Sequence, residues 1–436
     1  MKILLFRYSC SGYKKKGIDF MNPILPLTHF VPDGEARLMP DGRMYLYGSY
    51  DISGETTYCS DVLHVFSTND LMHWTDHGIC LQSSDIPWAK EGSLMYAPDC
   101  ICKDGKYYLY FCMTNSYEGL AVSDTPCGPF TNPVPIPYAD GSGIDPSVFI
   151  DDDGSAYYYW GQFQLSGARL DPDMRSLDLS SLNTCLIDEK RHGFHEGASM
   201  RKRNGLYYLV YTDTSRGRAT CMSYAVSRSP LGPFQKGGVI IDNIYCDPQT
   251  WNNHGCIAEF QDQWYVFYHR SSQNSKYNRR MCIEKIYFDE NGRIPEVPMT
   301  SQGASNPLKA KGTYPASLAC QIRNGPYLCP DGNGSGEILT HICNGSWAAY
   351  RYFSFETPHS FTITAAARIN GGTVEIWADD ELIGSCLVQP TGRWDAWQSF
   401  SCNLIPVTGV KTLYLTFRGN DLDRRLMEIK EFAFRA

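Results

Sequence analysis

The chain has 436 residues, with 47 acidic against 39 basic side chains and a net charge of −8. That length exceeds what one hydrophobic core usually serves, so two domains are expected. No Lys/Arg block is long enough to follow a phosphate backbone and no apolar run approaches the roughly 20 residues of a membrane span, which excludes nucleic acid and membrane as partners.

The first segment, residues 1–21, carries a short apolar run, Ile3 to Phe6, ahead of Lys14-Lys15-Lys16. A secretory signal has its positive charge first and a longer apolar stretch, so this segment reads as an extension of a cytoplasmic protein, with Met21 as an alternative start. The 17 Cys are scattered and never form a Cys-x-x-Cys pair, which points to reduced, mostly buried thiols rather than a disulfide framework or zinc site.

From residue 22 to 298 one phrase recurs five times: Asp41-Gly42, Asp104-Gly105, Asp153-Gly154, Asn204-Gly205 and Asp262-Gln263, each leading into a Tyr-rich run. Asp-Gly or Asn-Gly before alternating apolar residues marks a tight hairpin, whose central residues need positive φ. The starts lie 63, 49, 51 and 58 residues apart, close to the period of a four-stranded blade, so five units predict a five-bladed β-propeller. Ser67…Trp74, Ser123…Phe130 and Ser227…Phe234 repeat a second spacing that predicts outer hairpins of the same blades. Residues 299–313 read as a linker. Residues 314–436 then show seven strand-like runs, Ala348 to Phe355, Ser360 to Ile369, Thr373 to Ala378, Leu382 to Val388, Trp397 to Leu404, Thr412 to Phe417 and Leu426 to Phe434, the pattern of an antiparallel β-sandwich or jelly roll.

In a propeller the innermost strand of each blade lines the central axis. Eight residues before each hairpin stand Asp33, Tyr96, Asp145, Glu196 and His254. Three carboxylates and an imidazole at one register predict convergence on an axial cleft. Asp33 and Asp145 each have an alternative reading as turn residues, and His254 as a hydrogen-bonded structural histidine. Glu196 lies between Phe194 and Gly197-Ala198, surroundings in which a glutamate is seldom kept without a purpose. Trp74, Trp88, Tyr96, Phe194 and Trp251 are candidate platforms for sugar faces, with core packing as the alternative for each. A pair of carboxylates across a cleft is the machinery of glycoside hydrolysis, and a third raises the proton affinity of its neighbour by like-charge repulsion.

The runs Asn22-Pro23-Ile24-Leu25 leading to Asp33, Ala97-Pro98-Asp99, Gly143 to Gly154, His195-Glu196-Gly197-Ala198 and Asn253-His254-Gly255 resemble glycoside hydrolase family 43 over about residues 22–298. The resemblance implies an inverting mechanism with Asp33 as general base, Asp145 as the residue that orients and tunes the acid, and Glu196 as general acid. It also implies that His254 meets a hydrated calcium ion on the axis, that Arg280 contacts substrate, and that no other cofactor is required. Asn344-Gly345-Ser346-Trp347, Thr391-Gly392-Arg393-Trp394 with Trp397, and Leu413 to Phe417 resemble a carbohydrate-binding module of family 6 over about residues 314–436, with Glu428 where that family commonly has a ligand-binding Asn. The expected activity is exo-hydrolysis of α-L-arabinofuranose or β-D-xylose from plant-polysaccharide oligosaccharides. An exo-acting galactan-type glycosidase and a non-catalytic sugar-binding propeller remain as alternatives.

Overall fold

The computed structural model describes residues 21–114, 118–136, 143–332, 336–420 and 425–435; apart from Met21, the expected N-terminal extension lies outside them. Four antiparallel sheets of four strands follow in chain order. Blade 1 comprises Glu35–Leu38, Met44–Gly48, Val62–Thr68 and Thr75–Gln82. Blade 2 comprises Met95–Lys103, Lys106–Met113, Gly119–Ser123 and Thr131–Pro135. Blade 3 comprises Ser147–Ile150, Ala156–Trp160, Gln164–Leu170 and Leu177–Asp188, and blade 4 Phe194–Arg203, Leu206–Asp213, Cys221–Ser227 and Gln235–Asp242. Blade 5 has three strands, Cys256–Phe260, Gln263–Ser272 and Ser275–Ile286.

Each repeated phrase sits in the hairpin between the first and second strands of a blade, though the turns differ. Asp104-Gly105, Asn204-Gly205 and Gln261-Asp262 have positive φ at both central residues, as a two-residue mirror-image turn requires. In blades 1 and 3 the loop is longer and only Gly42 and Gly154 are left-handed. The fifth turn falls one residue earlier than the phrase suggests, because Asp262 itself takes the left-handed conformation and Gln263 already belongs to the strand.

The first strands of the five blades contact one another in sequence and the fifth contacts the first, which closes the ring. Tyrosines and branched residues of the second and third strands fill the layers between blades. Blade 5 is completed by the start of the propeller: Ile24 donates to the Met281 carbonyl, and the Asn22 side chain donates to the Ile283 and Thr300 carbonyls while accepting from the Ile283 amide. Below the mouth, the axis is filled by ion-paired side chains. Arg37 holds Asp99 in a two-bond fork (2.9 and 2.6 Å) and reaches the Val148 carbonyl, while Glu35 takes both Arg37 (3.2 Å) and Arg201 (2.5 Å). Asp99 is thus a structural member of blade packing.

The second domain is a two-sheet sandwich. One sheet runs Leu308–Lys309, Trp347–Glu356, Thr408–Arg418, Gly372–Ala378, Glu381–Val388; the other runs Tyr327–Pro330, Glu337–Ile342, Met427–Arg435, Ser360–Ala366, Gln398–Asn403. Their inward residues, including Phe353, Phe361, Phe432 and Phe434, form one core. The 299–313 segment is not a free tether: Leu308 and Ala310 are buried in that core, and Gly312 begins a strand on Met427–Arg435. The two domains also share an apolar cluster in which Cys246, Met299 and Tyr268 meet Cys320, Ala349 and Trp347.

Candidate active site

Asp33, Asp145 and His254 each lie two residues before the first strand of blades 1, 3 and 5, while Tyr96 and Glu196 lie within the first three residues of the first strands of blades 2 and 4. All five therefore stand at one end of the ring. The backbone there is irregular: Asp33 and Asp145 have φ of 55°, and the pairing of Phe194–Arg203 is interrupted on both sides of Glu196. Non-glycine residues held left-handed cost about 1–3 kcal/mol each and persist where the surroundings over-determine them.

Asp33 is buried and its two oxygens are separately engaged. Oδ1 accepts from Arg279 Nη1 (3.0 Å), and Oδ2 accepts from Ser49 Oγ (2.8 Å). Its amide donates to His269 Nδ1 (3.4 Å), and His254 Nδ1 stands 3.7 Å from Oδ1. Burial alone would raise this carboxyl, but the Arg279 guanidinium, with His269 and His254, outweighs it and holds Asp33 well below the usual carboxylate range. Arg279 is itself aligned by Asp51, which accepts from its amide (3.0 Å), Nε (2.9 Å) and Nη2 (2.9 Å).

Asp145 faces the same imidazole, with His254 Nδ1 3.9 Å from its Oδ2. No Lys or Arg pairs with it among the described residues. Burial, followed by the charges of Glu196, Asp33 and Glu118, pushes its carboxyl well above the usual range, a rise that the nearby Gly197 amide opposes in part. Gly197 has φ of 67°, and a Cβ there would lie 2.7 Å from the His254 ring, so only glycine allows the imidazole and the Glu196 backbone to approach so closely. Glu196 is only half-buried and accepts from Gln162 Nε2 (2.8 Å). The site thus combines a buried Asp33 paired with a guanidinium, a buried Asp145 whose proton affinity is raised by burial and acidic neighbours, and the half-buried side chain of Glu196.

The remaining sequence candidates separate. Tyr96 is half-buried at this mouth, within the fields of Cys59, Cys112 and Arg279. Trp74 lies in the outer hairpin of blade 1, its Nε1 on the Leu71 carbonyl, away from the axis. Phe194 is fully buried against Tyr211, and so packs a blade instead of facing sugar. Arg280 points the other way from the substrate side: its guanidinium forks onto Glu337 of the sandwich (2.8 and 2.8 Å) and stacks over Phe30. Neighbours on a strand face opposite sides, so only one of Arg279 and Arg280 can reach Asp33, and it is Arg279. Trp251, a platform candidate from the sequence, joins Tyr58 and Tyr277 in an aromatic rim around Lys276, while sequence reasoning missed Asp51, His269, Tyr58 and Tyr277. Tyr58 lies against Arg279 and within the fields of Glu196 and Asp33; nothing in its local sequence marks it.

The described axial side chains offer no set of direct protein ligands for a calcium ion, so an ion beside His254 would be held through water. Among the described residues no group of three or more His, Cys, Asp or Glu side chains could hold a metal. The carboxylates further down the axis, Glu35 and Asp99, are paired with Arg37 and Arg201.

In the sandwich, Trp394, Trp397, Arg393, Asp395, Arg368 and Glu428 line a cleft of ≈ 560 Å³. Arg425 stacks over Trp394 and pairs with Glu428, which accepts from Thr340.

Residues 20–294 match the model of glycosyl hydrolases family 43 and residues 319–436 that of carbohydrate binding module family 6. The chain belongs to glycosyl hydrolase family 43. It is therefore a glycoside hydrolase. A family relative, the xylosidase/arabinosidase of Thermoclostridium stercorarium, is 30% identical over 92% of this chain and 96% of its own. The family 43 arabinoxylan arabinofuranohydrolase of Bacillus subtilis, solved with cellotetraose, superposes with a TM-score of 0.56 at 25% identity over 95% of this chain and 97% of its own. A β-xylosidase/α-arabinofuranosidase from a compost metagenome, solved with xylotriose in a calcium-free form, superposes with a TM-score of 0.55 at 31% identity over 64% of this chain and 99% of its own.

Proposed function

We propose that the protein is an inverting exo-glycosidase that releases α-L-arabinofuranose or β-D-xylose from short arabinoxylan-type oligosaccharides. The observation that carries this reading is the convergence of acidic side chains at one end of the propeller axis: Asp33, paired with Arg279 at 3.0 Å, and Asp145 meet the same His254 ring beside Glu196. Arg279 pushes Asp33 below the usual range, while burial and Glu196 push Asp145 above it. Environments that push two carboxyls apart define a base and an acid side. Asp33 takes the proton of an attacking water, while the open Glu196 protonates the departing oxygen. Asp145, which lies within the field of Glu196, orients and tunes that acid. The bound sugar lies between them under His254 and Tyr96, with the Tyr58, Trp251 and Tyr277 rim receiving the leaving part. The relatives named for xylose and arabinose substrates support pentoses as the sugar released. No step passes through a metal. We place the enzyme in the cytoplasm, where its free cysteines stay reduced and imported oligosaccharides are small enough to enter.

The test is Glu196→Gln assayed on aryl arabinosides and xylosides, with NMR following the anomer first formed by the unaltered enzyme. Loss of turnover in a folded variant, with inversion in the unaltered enzyme, is expected; full retained activity or a retained anomer refutes the assignment.

A further inference from the structure

The sandwich does more than adjoin the propeller. It sends one side chain to the back of the catalytic centre. Glu337, at the start of Glu337–Ile342, is buried, and its carboxylate is fully used by blade 5. Oε2 accepts from Arg280 Nη1 (2.8 Å), and Oε1 accepts from Arg280 Nη2 (2.8 Å) and Gln273 Nε2 (2.6 Å). Gln273 and Asn274 are the hairpin tip between the last two strands of blade 5, both with positive φ. Gln273 Oε1 in turn accepts from Ser53 Oγ of the blade 1 loop (3.0 Å) and from Asn278 Nδ2 (3.0 Å), and the Asn274 amide donates to Asp247 (2.8 Å).

Between these two anchors, Gln273 and Arg280, lie Lys276 and Tyr277 of the aromatic rim and Arg279, the cation on Asp33. We infer that Glu337 is a positioning residue for the active site of the neighbouring domain: by clamping Gln273 and Arg280 it fixes the hairpin that presents Arg279 to Asp33 and the rim to substrate. The docking of the domains does not depend on it. That is secured elsewhere, by the shared cluster around Cys246 and Ala349, by the Ile322 amide on the Tyr245 carbonyl (2.8 Å), by Arg323 stacked on Tyr245, and by Ser301 Oγ on the Leu318 carbonyl (2.6 Å). Glu337 is the link aimed at the catalytic strand. The role rests on Asp33 acting as base, as proposed above, and it makes the sandwich a part of the catalytic unit whether or not its own cleft binds sugar.

The experiment uses the full chain and whichever aryl pentoside the unaltered enzyme turns over, so failure to find such a substrate tests the proposed function and leaves the clamp to be judged by the variants' effect on the sugar that is cleaved. Glu337→Gln, Gln273→Ala, Arg279→Lys and the Glu337→Gln/Arg279→Lys double variant are compared for kcat, KM and thermal midpoint. Misplacing a catalytic group by about 1 Å costs on the order of a hundredfold in rate, so Glu337→Gln is expected to lower kcat by about 10- to 100-fold with KM within about threefold, and Gln273→Ala to lower kcat by roughly threefold or more. Residues acting through one another are not additive, so Glu337→Gln is expected to cost less than about threefold further in the Arg279→Lys background. A folded Glu337→Gln with kcat within about twofold of the unaltered enzyme, or one whose full loss persists beside Arg279→Lys, overturns the inference. If Glu337→Gln does not fold, Gln273→Ala decides, and an unchanged kcat there overturns it too.

Discussion

Arg279→Met isolates the charge logic of the site. Arg279 makes three hydrogen bonds to carboxylates from its guanidinium, one to Asp33 and two to Asp51, and stacks over Tyr58. Methionine keeps most of the stem and removes the charge, leaving two buried carboxylates without their shared cation. Breaking a buried pair in this way costs about 3–5 kcal/mol at neutral pH, a large share of the roughly 5–15 kcal/mol by which a domain is stable. The loss depends on pH with a definite sign. In the unaltered protein Asp33 is held below its unfolded value, so its contribution is present above about pH 4 and fades only as pH falls below that. Without Arg279, burial dominates and lifts Asp33 above its unfolded value, so the variant gains stability as pH falls from 7 towards 5. Urea unfolding of both proteins at pH 7 and pH 5 measures this: the gap between them is expected to narrow at pH 5. Activity moves oppositely, because a protonated Asp33 cannot act as base, and kcat/KM of the variant is expected to fall towards pH 5 while that of the unaltered enzyme does not fall through Asp33. A gap below about 1 kcal/mol, or one independent of pH, refutes the assigned pairing.

Three further outcomes are expected. Gly197→Ala places a methyl 2.7 Å from the His254 ring at a φ of 67°, so it should lower kcat at least tenfold by displacing His254 or Glu196, on the order of the rate cost of a misplaced group; kinetics at saturating substrate check this. Asp247, pushed up to about 6 by burial, has its folded value above its unfolded one, so stability falls as pH rises through about 4 to 6, by roughly 3 kcal/mol at most. Asp247→Asn should flatten that part of the stability–pH curve in a thermal-shift series. Trp394→Ala, in the sandwich cleft, should weaken retardation by soluble arabinoxylan in affinity electrophoresis while leaving kcat on an aryl pentoside unchanged; equal retardation of both proteins would show that the cleft does not hold sugar.

The hairpin phrases carry their own conformational demand, since Asp-Gly and Asn-Gly tolerate positive φ locally, and so the five blades and the seven strand runs of the sandwich can be read along the chain. The shared register of Asp33, Tyr96, Asp145, Glu196 and His254 follows from the same count, because a fixed distance from a turn is a fixed height on an inner strand. Alternation also says that Arg279 and Arg280 part company, but not which one faces the axis. Phe194 and Trp74 were indistinguishable from sugar platforms in sequence, since an aromatic ring serves a core and a cleft equally well. The Arg37 and Arg201 plug, the Asp51 support and the Glu337 clamp join residues between about 60 and 230 positions apart. Turns and strand periods are short-range physics, fixed by φ/ψ sterics within a few residues, and the sequence determined them. Which carboxyl is ionised, which arginine meets it, and that the second domain reaches into the first are set by burial and Coulomb interactions across blades and domains, and only the tertiary structure decided those.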